Sequence, residues 1–127
     1  MSALRTILAA AACVVATSAG AGALDECMAR GDHAAVTRCL VDADKAAGEE
    51  LAKAEAAAAK AARDLDAVTG RPGAVAAHAK SKRAFAEYRN AQCDLVRAMY
   101  ASGTGADQGA LACRIDATRQ RVRDLQP

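Results

Sequence analysis

The sequence has almost no aromatic side chains: it contains no tryptophan, one phenylalanine and two tyrosines in 127 residues. Sheets favour aromatic and β-branched residues, so this composition argues against a β-sandwich or barrel. With two prolines and nine glycines, the chain is neither collagen-like nor proline-rich. The formal net charge is only +2. Together with the lack of rings for base stacking, this charge gives no argument for nucleic-acid binding.

Alanine dominates what is present, with 37 of the 127 residues. Alanine is the best helix former among the amino acids, because it loses no side-chain entropy in a helix. The length suits one small domain. We therefore predict a single all-α domain.

The first 23 residues have the pattern of a secretory signal peptide. Arg5 supplies a positive charge before an apolar run from Ile7 to about Ala16, which is too short to span a bilayer comfortably. The segment ends in Ala-Gly-Ala at 21–23, an A-x-A cleavage signal. We expect cleavage between Ala23 and Leu24, which leaves residues 24–127 as the mature domain.

Cys13 raises the alternative of a lipoprotein signal, in which this cysteine would be acylated. Ala10 stands three residues before it, where a leucine would be expected, and Val14 and Val15 continue the apolar run. We therefore expect cleavage rather than lipidation. The predicted mature protein is periplasmic or secreted and has no transmembrane segment.

Four cysteines remain in the predicted mature chain: Cys27, Cys39, Cys93 and Cys113. An even count in a small exported chain predicts two disulfides. Four cysteines allow three pairings. We favour pairing each cysteine with its nearer neighbour, because Gly31 separates the first two and a glycine-rich turn separates the last two. The alternative is a crossed pairing that ties the N-terminal segment to the long helices.

Glycine and proline divide the mature chain into helical segments. Asp25 and Asp32 are candidate N-caps of two short turns on either side of Gly31. A long helix is predicted from about Val41 to Val68. Its apolar stripe has a spacing of three and four residues, typical of a face that packs on another helix: Leu51, Ala54, Ala58, Ala61, Leu65 and Val68.

Two further helices are predicted after the break at 69–73. The second runs from about Ala74 to Ala101, and the last follows a glycine-containing loop, with Asp107 as its candidate cap. The predicted stripes are Phe85, Tyr88, Gln92, Leu95 and Met99 on the second helix, and Leu111, Ile115, Thr118, Val122 and Leu125 on the last. We predict a small antiparallel bundle or hairpin of two long helices plus a C-terminal helix, stapled by two disulfides.

The sequence contains no recognisable catalytic motif. G-x-S-x-G, H-E-x-x-H and a phosphate-binding loop are absent. The two histidines, His33 and His78, are far apart, and the clustered spacing of a zinc site does not occur. We therefore predict a protein that is not an enzyme, with no catalytic residue, no metal and no cofactor.

Several charged or polar residues admit a partner-binding and a structural interpretation. Lys80, Lys82 and Arg83 form a basic cluster, which would suit an acidic partner but is more typical of the solvated face of an amphipathic helix. Gln92, on an otherwise apolar stripe, is a candidate buried hydrogen-bonding residue. Arg121 is expected to pair with a carboxylate or with the carbonyls of a helix C-terminus.

The C-terminal half also resembles a known family. Tyr-Arg-Asn-Ala-Gln-Cys at 88–93 is followed, after a loop, by a cysteine, a threonine, an arginine and a leucine at characteristic spacings. This order resembles the lysozyme inhibitor LprI-like family of small exported bacterial proteins, with Phe85 where that family usually has tryptophan and Lys82 where it often has glutamine. The matching positions are Phe85, Tyr88, Arg89, Cys93, Cys113, Thr118, Arg121 and Leu125.

The resemblance implies an exported, disulfide-bonded helical module that binds and blocks a peptidoglycan-cleaving lysozyme. Candidate partner-binding residues are Arg89 and the loop formed by Ser102, Gly103, Thr104 and Gly105. Arg89 could instead brace two helices near the cysteine pair. The alternative function is a non-enzymatic structural or chaperone-like module that binds another envelope protein or self-associates through the alanine-lined stripe at 51–68.

Overall fold

The computed structural model describes residues 22–126, and the regular structure in this range is α-helical. The helices are α1 (Ala23–Met28), α2 (His33–Thr69), α3 (Ala74–Met99) and α4 (Ala106–Asp124). Short connections place α2, α3 and α4 antiparallel in succession, and α1 packs against α2 and α4. The predicted all-α fold is thus confirmed. Among residues 22–126, none of the helices combines the length and the hydropathy that a membrane span requires.

The boundary of the predicted signal peptide falls at the start of α1. Residues 1–21, with Cys13, lie outside the described range. Ala23 is fully buried, and its backbone N–H donates to Asp116 Oδ1 at 2.9 Å. The backbone at residue 23 therefore helps to hold α1 against α4.

Asp32 caps α2, as predicted. Its carboxylate accepts a hydrogen bond from the backbone N–H of Ala35 at 2.8 Å, which satisfies one of the unpaired donors of a helix start. The helix then runs without a break to Thr69, instead of beginning near Val41. Alanine-rich sequence on both sides of residue 41 offers nothing that would end a helix there.

The predictions for Asp25 and Asp107 as N-caps are wrong. Gly22 and Gly105 occupy the N-cap positions of α1 and α4, and the two aspartates lie in the first turns. An acidic residue in the first turn still interacts favourably with the positive end of the helix dipole. Asp25 and Asp107 therefore favour the start of a helix through their charge, and neither makes the capping hydrogen bond.

The turn between α2 and α3 is closed by Asp66. Its carboxylate accepts from the backbone N–H groups of Gly73, Ala74 and Val75 at 3.3, 2.9 and 3.1 Å. The hydrogen bonds from Val75 and Ala74 are the main reason that the pKa of Asp66 lies below its usual value. Gly70 ends α2 in the left-handed conformation (φ 62°), which glycine adopts without steric cost.

The hydrophobic core lies where α1, α2 and α4 meet. Its largest fully buried side chains are Leu40, Ile115 and Cys27. The disulfides are Cys27–Cys39 and Cys93–Cys113, with Cα atoms 5.6 Å apart in each. This confirms the favoured local pairing over the crossed one, because each bridge joins two elements that neighbour each other in the chain.

The predicted apolar stripes are right for α4 and half right for α2. Ile115 and Thr118 are buried, and the other predicted residues of α4 are half-buried. On α2, Leu51, Ala54 and Ala58 are half-buried, but the rest of the stripe is exposed. The exposed part lies beyond the reach of α4, which has only 19 residues against the 37 of α2.

The predicted apolar stripe of α3 lies on the wrong side of the helix. The face that is covered in the structure is shifted by about one residue along the sequence. Of the five members of the predicted stripe only Phe85 is partly covered, and Gln92 is exposed rather than buried. The covered face instead carries Arg89, Cys93 and Val96. The disulfide to α4 explains the rotation, because Cys93 has to face Cys113.

Candidate functional site

A buried carboxylate lies where α2, α3 and α4 come together. Glu55 of α2 is only 5% exposed. Its Oε2 atom lies 2.7 Å from His78 Nε2 of α3, and its Oε1 atom accepts from Arg121 Nε of α4 at 3.0 Å. The side chains of His78 and Arg121 are themselves only 16% and 12% exposed. The three residues thus join three helices through one carboxylate.

Arg121 continues this network towards α3. Its Nη1 atom donates to Ser81 Oγ at 2.9 Å, and its guanidinium lies 5.5 Å from the centre of the Phe85 ring. Arg89 lies 5.4 Å from the same ring and donates from Nη1 to Thr118 Oγ1 at 3.1 Å. Guanidinium groups at such distances are attracted to the face of an aromatic ring. We call these seven residues the three-helix cluster: Glu55, His78, Ser81, Phe85, Arg89, Thr118 and Arg121.

The chemistry of the three-helix cluster is that of a structural brace. A general acid or base needs a carboxylate or imidazole that can reach a substrate proton, whereas both oxygens of Glu55 already have a partner in the protein. An open groove of about 390 Å³ adjoins the cluster, but alanine, leucine and glycine form much of its lining. The arrangement holds helices in place and offers no poised nucleophile to the groove.

The family-motif positions separate into two groups. Phe85, Arg89, Thr118 and Arg121 meet in the three-helix cluster, with the Cys93–Cys113 bridge one helical turn from Arg89. Leu125 is half-buried just after α4. Tyr88, in contrast, points outward and is 62% exposed. The prediction that Arg121 pairs with a carboxylate is confirmed.

The loop at 102–105 is anchored by the residues on both sides of it. The N–H of Gly103 donates to the Tyr100 carbonyl, and the N–H of Ala106 donates to the Gly103 carbonyl, each at 3.1 Å. The Tyr100 ring lies against Gly109, where an added Cβ would come within 2.7 Å of the ring. Ser102, Gly103 and Thr104 remain exposed. The loop is thus a short exposed tip on a fixed base, about three turns of α3 away from Arg89.

Ion pairs join the surface of α4 to its neighbours. Arg114 donates from Nε to Asp44 Oδ1 at 2.8 Å, and this carboxylate raises the pKa of Arg114. Arg119 donates to both oxygens of Glu26 at 3.0 and 3.1 Å. Exposed pairs of this kind typically contribute only about 0.2–1 kcal/mol each. They fix the orientation of α4 on α1 and α2 rather than supplying most of the stability.

Lys80, Lys82 and Arg83 lie exposed on α3. Lys80 and Arg83 share one side of the helix, because residues three apart are neighbours on its surface, whereas Lys82 points away from both. The described residues contain no group of three or more histidine, cysteine or acidic side chains that could hold a metal ion.

Sequence reasoning missed four residues that organise these sites: Glu55, His78, Ser81 and Tyr100. Glu55 has the clearest signal, since it lies four residues after Leu51 and three before Ala58, on a face that also packs. His78 gives no signal alone, because its partner is 23 residues away. Tyr100 also gives none, because its packing depends on Gly109 in the next helix.

Comparison with known proteins identifies the chain at the level of a family. The model of the family described as lysozyme inhibitor LprI matches residues 25–125. This range includes the four disulfide-bonded cysteines and all residues of the three-helix cluster. No curated protein and no solved structure gives a significant match.

Proposed function

The chain belongs to the lysozyme inhibitor LprI family, and from this we propose that it is an exported protein that binds and blocks a peptidoglycan-cleaving lysozyme. The observation that carries the proposal is the family match over residues 25–125. A disulfide-stapled helical body supports it, because a rigid inhibitor loses little conformational entropy when it binds.

We place the contact at the loop tip, Ser102–Thr104, and at the cation beside it. Lysozyme-type glycosidases work with paired carboxylates in an open cleft. A narrow, anchored tip fits such a cleft better than a flat helix face does. Arg97, in the last turn of α3, is more than half exposed and is 3.3 Å from the still more exposed Asp107. Its guanidinium can therefore exchange this partner for a carboxylate of the enzyme.

Arg89 acts in this proposal as a brace rather than as a contact. Inside the three-helix cluster its guanidinium lies over the Phe85 ring and donates a hydrogen bond to Thr118. The effect of Arg89 on inhibition would therefore pass through the position of α3 on α4, which in turn places the loop.

A second candidate function is a non-enzymatic module that binds another envelope protein. The observation that favours it is the exposed, uncharged outer face of α3, where Tyr88, Leu95 and Met99 lie open to solvent. A module of this kind would not inhibit lysozyme, and this difference distinguishes the second candidate function from the first.

The test is a titration of the exported, oxidised protein into lysozyme that is clearing a cell-wall suspension. We expect saturating, stoichiometric inhibition that is lost when the disulfides are reduced. Animal-type, goose-type and bacterial enzymes should be compared. Failure to inhibit any of them at large excess would overturn the proposal and favour the second candidate.

Variants then locate the contact. Ser102→Tyr with Thr104→Tyr should weaken inhibition at least tenfold without lowering Tm, because both side chains are exposed. Ala67→Tyr, at an exposed position near the far end of α2, is the matched control and should inhibit normally. Arg89→Ala should lower Tm and inhibition together. Loss of inhibition by Arg89→Ala at an unchanged Tm would instead make Arg89 a direct contact.

A further inference from the structure

The beginning of α1 is built into the folded domain. Ala23 is fully buried and belongs to the hydrophobic core, and its N–H donates to Asp116 Oδ1 at 2.9 Å. Gly22 is the N-cap of α1, and its carbonyl accepts from the N–H of Glu26 at 3.1 Å, which closes the first turn of the helix. The fold therefore uses both of the residues that precede Leu24.

Asp116 of α4 also lies against the backbone of Gly22. A Cβ added to Gly22 would come within 3.0 Å of Asp116 Oδ2, so a larger residue there would crowd the carboxylate. The amine of Gly22 shares its Cα with that Cβ and would lie within a few ångströms of the same oxygen. Opposite charges attract appreciably at separations of about 4–6 Å. The carboxylate is therefore well placed to receive a charged chain terminus at Gly22.

Two A-x-A patterns overlap at the end of the predicted signal peptide. Ala-Gly-Ala at 21–23 places the cut before Leu24, and Ala-Gly-Ala at 19–21 places it before Gly22. Both patterns have the small residues of a signal-peptide cleavage site. A cut before Leu24 would remove Ala23 from the core and take its N–H away from Asp116. A cut before Gly22 keeps both of these contacts and the first turn of α1.

We propose that the mature chain begins at Gly22, earlier than the sequence alone leads us to expect, and that Asp116 holds the new terminus. The inference rests on the export that is part of the proposed function. In the cleavage step, water adds across the peptide bond between Ala21 and Gly22. The carbonyl carbon of Ala21 gains the oxygen and leaves as a carboxylate, and the nitrogen of Gly22 gains both hydrogens and becomes an ammonium. That ammonium lies beside Asp116 when α1 packs on α4.

The test is the intact mass of the protein that is recovered after export of the full chain. We expect the mass of residues 22–127 with both disulfides formed. The mass of residues 24–127 would overturn the proposal and leave export standing. A mass that still includes residues 1–21 would overturn export as well. A chain that begins at Gly22 supports the proposal whether or not it inhibits lysozyme, so the two proposals fail separately.

A melting experiment tests the role of the two residues. Chains 22–127 and 24–127 are exported behind the same unrelated signal peptide and are melted in the oxidised form. We expect the shorter chain to have a Tm that is lower by roughly 4 °C or more. A chain that lacks residues 126–127 instead is the matched control, since Gln126 is exposed, and its Tm should equal that of 22–127. Equal Tm values for 22–127 and 24–127 would overturn the role of Asp116 as the anchor.

Discussion

The molecule has two regions that are stabilised in different ways. The base, where α1, α2, α3 and α4 pack together, contains both disulfides and every buried residue of the described range. The two-helix arm, residues 59–77, is the part of the α2–α3 hairpin beyond α4, and it contains no buried residue. Glu55 and His78 lie where the two regions meet.

Long-range packing stabilises the base, whereas local interactions stabilise the arm. Leu40 and Ile115 come from helices far apart in sequence. The arm relies on alanine-rich helix, on the exposed pair Lys60–Asp64 and on the cap that Asp66 provides for α3. One chain thus combines a cooperative core with an extension that depends on helix propensity and capping.

The largest expected effect comes from opening a cavity in the base. Leu40→Ala removes a fully buried side chain and should lower the free energy of unfolding by about 2–5 kcal/mol. Chemical denaturation of the oxidised protein measures the loss. Leu65→Ala, at a 55% exposed position in the arm, is the control and should change stability by less than about 0.5 kcal/mol. Equal losses for the two variants would contradict the division into base and arm.

A smaller loss is expected at the junction. Glu55→Gln keeps the shape of the side chain but removes the charge that Arg121 and His78 share. Hydrogen bonds to charged groups contribute about 1.5–3 kcal/mol, and denaturation should show a loss in this range. Glu50→Gln, exposed on the same helix, should be neutral. An unchanged stability of Glu55→Gln would mean that the three-helix cluster does not brace the base.

The smallest effect is confined to the arm. Because its pKa is lowered in the folded chain, the capping carboxylate of Asp66 stabilises the arm fully above its usual pKa of 3.8. This contribution is lost as the pH falls through the lower folded value. The amide NMR shifts of Ala74 and Val75 should titrate with a midpoint below 3.8, and Asp66→Asn should abolish that titration. Asp64→Asn, the control, should preserve it; a midpoint at or above 3.8 would contradict the cap.

The fold could be predicted from the sequence because its determinants are local. Alanine content indicates helix, the Gly70–Gly73 segment marks the turn, and Gly31 separates two cysteines that then pair. The rotation of α3 could not be predicted. Its covered face includes Arg89, which a hydrophobic pattern counts as exposed, and its exposed face includes Leu95 and Met99.

The candidate site was predictable only in part. The motif placed Arg89 and Arg121 in one group, but Glu55 was missing from it because the partners of this carboxylate lie on two other helices. A charged residue is normally expected at the surface. Its burial becomes apparent only when an opposite charge, here 66 residues away, is known to lie beside it.

The arrangement of the disulfides also determines how the chain would respond to a protease. One bridge joins α1 to α2, and the other joins α3 to α4. In the described part of the chain, these two cross-linked halves are connected covalently only by the backbone between Cys39 and Cys93. A single cut at the exposed turn of the arm would therefore divide the oxidised molecule into two separately cross-linked pieces. Non-covalent packing in the base would then be all that keeps the halves together, so cleavage would convert one chain into a heterodimer of its own parts.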